Sequence, residues 1–288
     1  MSIQRIIIVG AAGQLGTDLV EVLRGYGEFH VIPLSHQDCD CTDKNQIGQV
    51  IVNLHPDIVV NCAAYVRVDD CEEHGIDAFN VNAIGALNVA RACAAANAVC
   101  VYISTDYVFD GMKAAPYAES DLPNPINVYG ASKLAGEYLT RQAVPHWLIV
   151  RTASLFGKTG ARGKGGNFVE TVIKKTKAGE PIAVVNDITM SPTYSRDAAD
   201  YVAVLLRSRA TGLFHISNGG ACTWYEFART ISEFTGVGDL VRSVSSKEFP
   251  AAAVRPKNTA LVTEQHDFQL RPWKDSLKAY LVEKGHCR

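Results

Sequence analysis

Long apolar runs and an excess of one charge are both missing from this sequence. Its apolar runs are as long as strands, well short of the roughly 20 residues of a membrane helix, so we expect no membrane partner. The net charge is −2 over 288 residues, so we expect no nucleic acid partner either. The apolar stretch at 3–9 leads straight into a glycine turn without a cleavage site of small residues. It therefore predicts a first strand and not a signal peptide.

The sequence also lacks any CxxC pair, although it contains eight cysteines. Cys62 and Cys93 stand in apolar or alanine-rich segments, and Cys39 and Cys41, which flank Asp40, are as two thiols poor evidence for a zinc site. We therefore expect reduced thiols that pack as small hydrophobic groups, no metal, and a cytoplasmic protein.

Apolar runs alternate with segments of helical periodicity through the first half of the chain. The run at 3–9 is rich in β-branched residues, as is typical of a strand buried on both faces. Further strands are predicted at 29–33, 57–61, 99–104 and 147–151. Helices are predicted after the glycine turn and at 44–54, 82–96 and 127–142. This alternation indicates βαβ units and the parallel sheet of an α/β protein.

The pattern changes after Arg151. Helices are predicted at 168–178, 192–207 and 223–235, the last with Thr223 as its N-cap. We expect two units, a doubly wound parallel sheet and a smaller C-terminal substrate-binding lobe. The sheet unit is predicted to take 1–151 and a late segment near 187–217, and the lobe to take 152–186 and 218–288.

Three glycines follow the first predicted strand and open the first helix. Gly10 permits a tight turn, Gly13 permits close approach of a pyrophosphate, and Gly16 lets the helix pack on the sheet. The helix N-terminus then offers N–H groups and a partial positive charge to the phosphates. A purely structural turn is the alternative, but the position between strand and helix favours a Rossmann-type dinucleotide site.

A tyrosine and a lysine, Tyr129 and Lys133, are four residues apart and share one helix face. A tyrosine with an ordinary pKa of about 10 is a slow proton donor at neutral pH, and a nearby ammonium stabilises its phenolate. Thr105 closes the fourth strand, where ligands of open α/β sheets bind, and its hydroxyl is suited to hold a substrate carbonyl. Ser104 is a candidate to share that role. These residues indicate acid–base chemistry on a carbonyl.

The GxxGxxG spacing, NCAA at 61–64, STDY at 104–107 and YGASK at 129–133 resemble the extended short-chain dehydrogenase/reductase superfamily. The longer phrases GAAGQLG, NCAAYVRVD, STDYVFDG, VYGASKLAGE and VVNDITMSPTYSRD resemble the dTDP-4-dehydrorhamnose reductase family over nearly the whole chain. The resemblance implies hydride transfer from a nicotinamide to the C4 ketone of a 6-deoxy-4-keto sugar nucleotide. Tyr129 would protonate the new alkoxide, and Lys133 would also hold the nicotinamide ribose.

The resemblance and the motifs together define three sets of candidate residues. The catalytic candidates are Thr105, Tyr129 and Lys133. The cofactor candidates are Gly10, Gly13, Gln14, Leu15, Gly16, Asp40, Cys41, Ala63, Ala64, Tyr129 and Lys133. The substrate candidates are Ser104, Thr105, Asp106, Tyr107, Asn167 and Arg255.

Two rival functions share parts of this pattern. A 4-epimerase of the same fold recycles a retained NAD, and a 4,6-dehydratase needs an acidic pair after the threonine, where this chain has Asp106 and Tyr107. A non-catalytic subunit resembling the regulatory β subunit of methionine adenosyltransferase is the other rival, against which the full Thr–Tyr–Lys set argues.

Cofactor preference is weakly encoded, because the second strand ends in PLSH at 33–36, without an acidic residue or an arginine. We expect NADPH to be used and NADH to be accepted, with His36 as a weak influence. The chain departs from the family pattern at Ser154, where a tryptophan is frequent.

A basic, glycine-rich loop with Lys158, Arg162 and Lys164 is a candidate grip for the substrate diphosphate, as is Arg255. Acidic residues on the first helix, such as Asp18, are expected to be solvated. A homodimer is one assembly that the sequence allows.

Overall fold

The structure is a computed structural model that describes residues 3–160, 166–238, 240–249, 251–265 and 269–287. Its strands are β1 (Gln4–Val9), β2 (Phe29–Leu34), β3 (Ile58–Asn61), β4 (Val99–Thr105), β5 (Trp147–Thr152), β6 (Leu155–Phe156), β7 (Ile182–Val185), β8 (Thr189–Met190), β9 (Thr193–Tyr194), β10 (Gly212–Ile216), β11 (Cys222–Thr223) and β12 (Val241–Val244). Its α-helices are α1 (Gln14–Arg24), α2 (Lys44–Leu54), α3 (Val68–Glu73), α4 (Gly75–Phe79), α5 (Ala86–Ala96), α6 (Val128–Ala143), α7 (Phe168–Lys177), α8 (Ser195–Arg207), α9 (Trp224–Thr235) and α10 (Trp273–Glu283). A π-helical segment, Asn80–Gly85, leads into α5, and 3₁₀ turns lie at Asp106–Val108 and Ser246–Glu248.

Six parallel strands of the described residues form the central sheet, in the order β10-β5-β4-β3-β1-β2. Because β1 lies between β2 and β3, the chain winds outward in opposite directions from it, and ligands of such sheets bind at this switch point. Helices α1 and α8 pack on one face, and α2, α5 and α6 pack on the other. The predicted doubly wound, Rossmann-type fold is confirmed.

The alternation of β1 explains why its sequence is apolar without interruption. Ile6 packs in the core under α1 and α8 with Leu19, and Ile7 packs in the core under α2 and α5 with Ile47 and Val89. Successive side chains of a strand point to opposite faces. A strand covered on both faces therefore needs apolar residues at every position.

A second core forms apart from the sheet, around Phe156, Phe227, Trp273 and Tyr280. It is built from α7, α9 and α10 with short strand pairs, among them β7 with β12 and β8 with β11. β8 pairs with β11, and Met190 of β8 belongs to this core. The domain division stays a prediction.

Three local predictions can be compared directly with the structure. The helix predicted at 192–207 begins at Ser195, because Thr193–Tyr194 pairs with Leu155–Phe156 as a strand. The first residues of the helix predicted at 82–96 belong to the π-helical segment Asn80–Gly85, and α5 itself begins at Ala86. Thr223 is confirmed as an N-cap, since its hydroxyl accepts the Glu226 N–H in a capping box.

The prediction that Asp18 is solvated was wrong. Its side chain is only 3% exposed and accepts a hydrogen bond from the Ser195 hydroxyl, which α8 brings against α1. Its neighbour Glu21 pairs with Arg196 of α8 at 2.6 Å. A contact between helices far apart in sequence therefore buries Asp18, whereas Glu21 stays half exposed in an ion pair.

The cysteines in the structure are free thiols, six of them buried. Within the described ranges, no group of three or more histidine, cysteine or acidic side chains is placed to hold a metal ion. No helix of these ranges has the length and apolar character needed to cross a membrane.

Candidate active site

A cavity of about 660 Å³ opens at the carboxyl ends of β1, β3, β4 and β5 and extends to the second core. Every residue of the catalytic, cofactor and substrate sets except Arg255 lines it. The candidates from the cofactor set are Gly10, Gly13, Gln14, Leu15, Gly16, Asp40, Cys41, Ala63, Ala64, Tyr129 and Lys133. Those from the substrate set are Ser104, Thr105, Asp106, Tyr107 and Asn167.

The glycine turn at one end of the cavity leaves no space for side chains. Gly10 has a φ of +77°, and a Cβ there would lie 2.8 Å from the Ala63 nitrogen. Gly13 precedes α1 and has no side chain to cap it, so the first turn of the helix keeps N–H groups for a phosphate. The Nε2 atom of Gln14 is buried without a hydrogen-bond partner in the described part of the chain. This end therefore fits the diphosphate of a dinucleotide.

Tyr129 and Thr105 meet in the middle of the cavity. Both side chains line it, the Thr105 hydroxyl donates to Asp106 Oδ1 at 2.9 Å, and the Tyr107 ring contacts the Tyr129 ring edge to face at a centroid distance of 5.8 Å. Burial raises the pKa of Tyr129, and the Thr105 hydroxyl opposes that rise. Gly130 lets the start of α6 approach the Tyr107 backbone closely, because a Cβ at this position would lie 2.1 Å from the Tyr107 carbonyl oxygen.

Lys133 is buried at 2% exposure on the same face of α6 as Tyr129. Its Nζ donates a hydrogen bond to the carbonyl oxygen of Ile103 at 2.6 Å and lies 4.1 Å from the centroid of the Tyr102 ring. Burial lowers the pKa of Lys133 to about 7, against the charge of Glu137, which raises it. The Lys133 ammonium therefore loses its proton near neutral pH, so the charge beside Tyr129 changes within this pH range.

The side chains of two other substrate candidates are already engaged by the protein. Ser104 donates its hydroxyl to Glu137 at 2.5 Å. The Asn167 amide caps α7, with Oδ1 accepting the Glu170 N–H and Nδ2 donating to the Gly157 carbonyl. Asn167 thus lines the cavity as a helix cap, and its role in binding a substrate stays a prediction.

Arg255 is held outside the cavity wall by Asp69, with N–O distances of 2.6 and 2.9 Å. This pairing lowers the pKa of Asp69 to about 2. The guanidinium also interacts with the Tyr107 hydroxyl, so Arg255 reaches the site through a cavity residue. Its role as a phosphate ligand stays a prediction.

The predicted diphosphate grip is only partly within the structure. Lys158 is half exposed and lies 3.8 Å from Glu21 and 3.7 Å from Glu283, so its charge is directed to acidic side chains of α1 and α10. Arg162 and Lys164 lie outside the described residues.

Several cavity residues were missed as site residues by sequence reasoning. Phe168 and Trp224 come from the second core and form an edge-to-face pair with a centroid distance of 4.8 Å. Ser154, noted as a departure from the family pattern, lines the cavity with a φ of +41°. No local motif marks the aromatic pair, because only tertiary packing brings it to the strand ends.

The parallel sheet, the glycine turn and the Thr105–Tyr129–Lys133 set define an oxidoreductase of the short-chain dehydrogenase/reductase type. The family model described as RmlD substrate binding domain matches residues 4–285, so the chain belongs to this family. The family resemblance seen in the sequence is thereby confirmed.

Relatives along nearly the full chain agree with this assignment. The spore coat polysaccharide biosynthesis protein SpsK of Bacillus subtilis is 37% identical over 284 residues, 98% of each chain. A dTDP-4-keto-6-deoxy-D-glucose reductase of Streptomyces niveus is 38% identical over 259 residues, 89% of this chain and 88% of its own. A solved structure of dTDP-4-dehydrorhamnose reductase from Bacillus anthracis in complex with NADP is 40% identical, with a TM-score of 0.93, and covers 98% of this chain and 100% of its own.

Proposed function

We propose that this protein reduces the C4 ketone of a 6-deoxy-4-keto sugar nucleotide with NADPH, converting dTDP-4-dehydrorhamnose to dTDP-L-rhamnose. The observation that carries the proposal is that Thr105, Tyr129 and Lys133 line one cavity at the end of β4, a cavity that starts at the glycine turn. The names of the Bacillus anthracis and Streptomyces niveus relatives support reduction of a dTDP-linked keto sugar.

The residues at the turn fit a nicotinamide dinucleotide, which supplies the hydride when bound. Gly10 to Gly16 and Gln14 would hold its diphosphate, Asp40 and Cys41 its adenosine ribose, and Ala63 and Ala64 its adenine side. The NADP bound to the Bacillus anthracis relative supports NADPH as the cofactor. No arginine or lysine follows β2 between 35 and 43, so we propose that NADH is accepted as well.

The proton of the reaction comes from Tyr129. Burial raises the pKa of the phenol, so it stays protonated until the substrate ketone takes up negative charge. The Thr105 hydroxyl orients the ketone and then donates to the phenolate, and the positive charge of Lys133 stabilises that phenolate. Lys133 would also hold the nicotinamide ribose.

Two competing activities make different demands on this site. A dehydratase needs a second acid beside Asp106, and Tyr107 stands there instead. An epimerase keeps its NAD through the cycle and consumes none. The free, mostly buried thiols support a reducing cytoplasmic compartment as part of the proposal, and assembly as a homodimer stays a prediction.

The test is NADPH oxidation with dTDP-4-dehydrorhamnose, which we expect to proceed with one NADPH consumed per ketone. Tyr129→Phe should lower kcat at least about 100-fold, a typical contribution of a general acid, while NADPH affinity is kept. Tyr138→Phe is the matched control, because this tyrosine is on the same helix and is 52% exposed.

Three results would contradict the proposal. Product formed by a protein that retains NAD and consumes no NADPH would identify an epimerase. Absence of turnover with every 4-keto-6-deoxy sugar nucleotide would favour a non-catalytic subunit. Near-normal turnover by Tyr129→Phe would remove this tyrosine from the mechanism.

A further inference from the structure

A row of buried polar side chains crosses the sheet beneath α6. Ser104, Arg151 and His215 are neighbours in the register of β4, β5 and β10, and none is more than 3% exposed. Glu137 of α6 covers the row. Its carboxylate accepts hydrogen bonds from the Ser104 hydroxyl at 2.5 Å and from the Arg151 Nε and NH2 groups at 2.9 and 2.7 Å. The mechanism proposed above uses neither Glu137 nor Arg151.

Glu137 and Lys133 grip consecutive residues of the strand that ends in Thr105. One turn apart on α6, Lys133 donates to the Ile103 carbonyl oxygen and Glu137 accepts the Ser104 hydroxyl. Because Thr105 follows Ser104 directly, these two contacts set where the end of β4 lies against the helix. The geometry of the catalytic hydroxyls thus depends on both charged side chains.

Two buried cations and one buried carboxylate lie in this region. Lys133 and Arg151 are both buried cations, and Glu137 is the carboxylate that pairs with Arg151. A buried ion pair is seldom stabilising by itself, because removing two charges from water costs about as much as their attraction returns. Stabilisation of the fold therefore does not account for the Glu137–Arg151 pair beside Lys133, which indicates a role of the pair in the site.

The other groups that face Lys133 are neutral at physiological pH. Burial raises the pKa of two thiols to about 12: that of Cys41, which follows β2 in the sequence, and that of Cys62, which follows β3. Burial also raises the pKa of the Tyr102 phenol on β4 and of Tyr129 on α6. Of all these neighbours, Glu137 has the largest effect in favour of the charged lysine.

We propose that Glu137, fixed by Arg151, is a positioning residue that keeps the Lys133 ammonium charged and seated on β4. The inference rests on the proposed function, in which the Lys133 ammonium stabilises the Tyr129 phenolate. Its first consequence, however, concerns the titration of Lys133 in the protein without substrate or cofactor. Lys133 should hold its proton up to a higher pH with Glu137 than without it.

The substitution that separates charge from shape is Glu137→Gln. Glutamine keeps the size of the side chain and one oxygen for Arg151 and removes the negative charge. A unit charge one helical turn away, about 6 Å, in surroundings of effective dielectric about 20, shifts a pKa by about two units. We therefore expect the titration midpoint of Lys133 to fall by about one to two pH units.

The matched control is Asp197→Asn. Asp197 is likewise a carboxylate that accepts two bonds from an arginine, Arg271, and one from a serine, Ser276. It lies on α8, outside the cavity wall, so the same chemical change there should lower stability without moving the titration of Lys133.

The first measurement needs no turnover. Protein with ¹³C at lysine Cε is titrated by NMR, and a Lys133→Met variant identifies the resonance. The midpoint should be near 7 in the wild type and in Asp197→Asn, and about 6 or lower in Glu137→Gln. The second measurement is the pH profile of kcat/KM for NADPH-dependent reduction, whose alkaline limb should move with the midpoint. At pH 7 a shift of one unit lowers kcat/KM about fivefold, and lowering the pH restores it.

If Glu137→Gln does not fold, the double variant with Arg151→Gln removes the unpaired arginine as well and should still show a lowered midpoint. Equal midpoints in wild type and in either variant would overturn the inference, as would a loss of activity that is uniform across pH. A lowered midpoint in a protein without reductase activity would uphold the role of Glu137 and refute the proposed function instead.

Discussion

Replacement of Gly16 by alanine should destabilise the protein and weaken cofactor binding, although glycine-to-alanine changes in helices usually stabilise. Alanine is favoured over glycine in a helix by about 0.8–1 kcal/mol. At Gly16, however, the new Cβ would lie 2.4 Å from the Gly10 carbonyl oxygen and 2.9 Å from the Ala11 Cα. Both are backbone atoms of the turn, so the strain cannot be relieved by moving a side chain.

The size of the effect follows from these two terms. Forced insertion of one carbon into a packed site costs about 1–3 kcal/mol, and contacts this short belong to the upper part of that range. After the helix propensity is subtracted, we expect a net loss of about 1–2 kcal/mol. Displacement of the turn also removes at least one charge-assisted bond to the diphosphate, which raises the Kd for NADPH at least about tenfold.

Gly48 provides the comparison within the same molecule. It lies inside α2, and a Cβ there would meet nothing within 4 Å. Gly48→Ala should therefore gain about 0.5–1 kcal/mol and leave NADPH binding unchanged.

Urea unfolding followed by circular dichroism measures the two stabilities, and fluorescence titration measures NADPH affinity. The reasoning is refuted if both variants are stabilised to the same degree. It is also refuted if Gly16→Ala binds NADPH as tightly as the wild type.

Three further predictions concern the cavity and α1. Thr105→Val should lower kcat at least about tenfold by removing the hydroxyl that would orient the ketone, and Thr105→Ser should restore most of it; equal rates for Val and Ser would exclude the hydroxyl. Trp224→Ala should raise the KM for the sugar nucleotide about tenfold without changing NADPH affinity, because Trp224 reaches the cavity from the second core and not from the glycine turn; a change in both affinities would point to collapse of the lobe. Burial raises the pKa of Asp18, so the folded state disfavours its ionised form and loses stability as pH rises from about 4 through that pKa. Asp18→Asn should therefore raise the free energy of unfolding at pH 7 and by less at pH 4, and equal gains at the two pH values would contradict this.

The sequence predicted those features that depend on neighbouring residues. Alternating apolar runs and helical periods define the strands of the sheet, and the glycine turn is recognisable because its three glycines lie within seven residues. Tyr129 and Lys133 share a helix face because of their spacing alone. The Thr223 cap was predictable for the same reason, since its partner Glu226 is three residues away.

Pairs of residues distant in sequence were decided by tertiary structure. Asp18 became buried because α8 brings Ser195 against α1, 177 residues further along the chain. The guanidinium of Arg255 pairs with Asp69, 186 residues earlier, which no local pattern predicts.

The row beneath α6 follows the same rule. Glu137 faces Arg151 because of strand register and helix docking, which no local pattern records. Local periodicity reports the conformation of a segment, whereas the partners of a charge depend on how segments pack. The sequence by itself therefore determined the fold class and the catalytic spacing, and only the tertiary structure decided which charges surround the lysine.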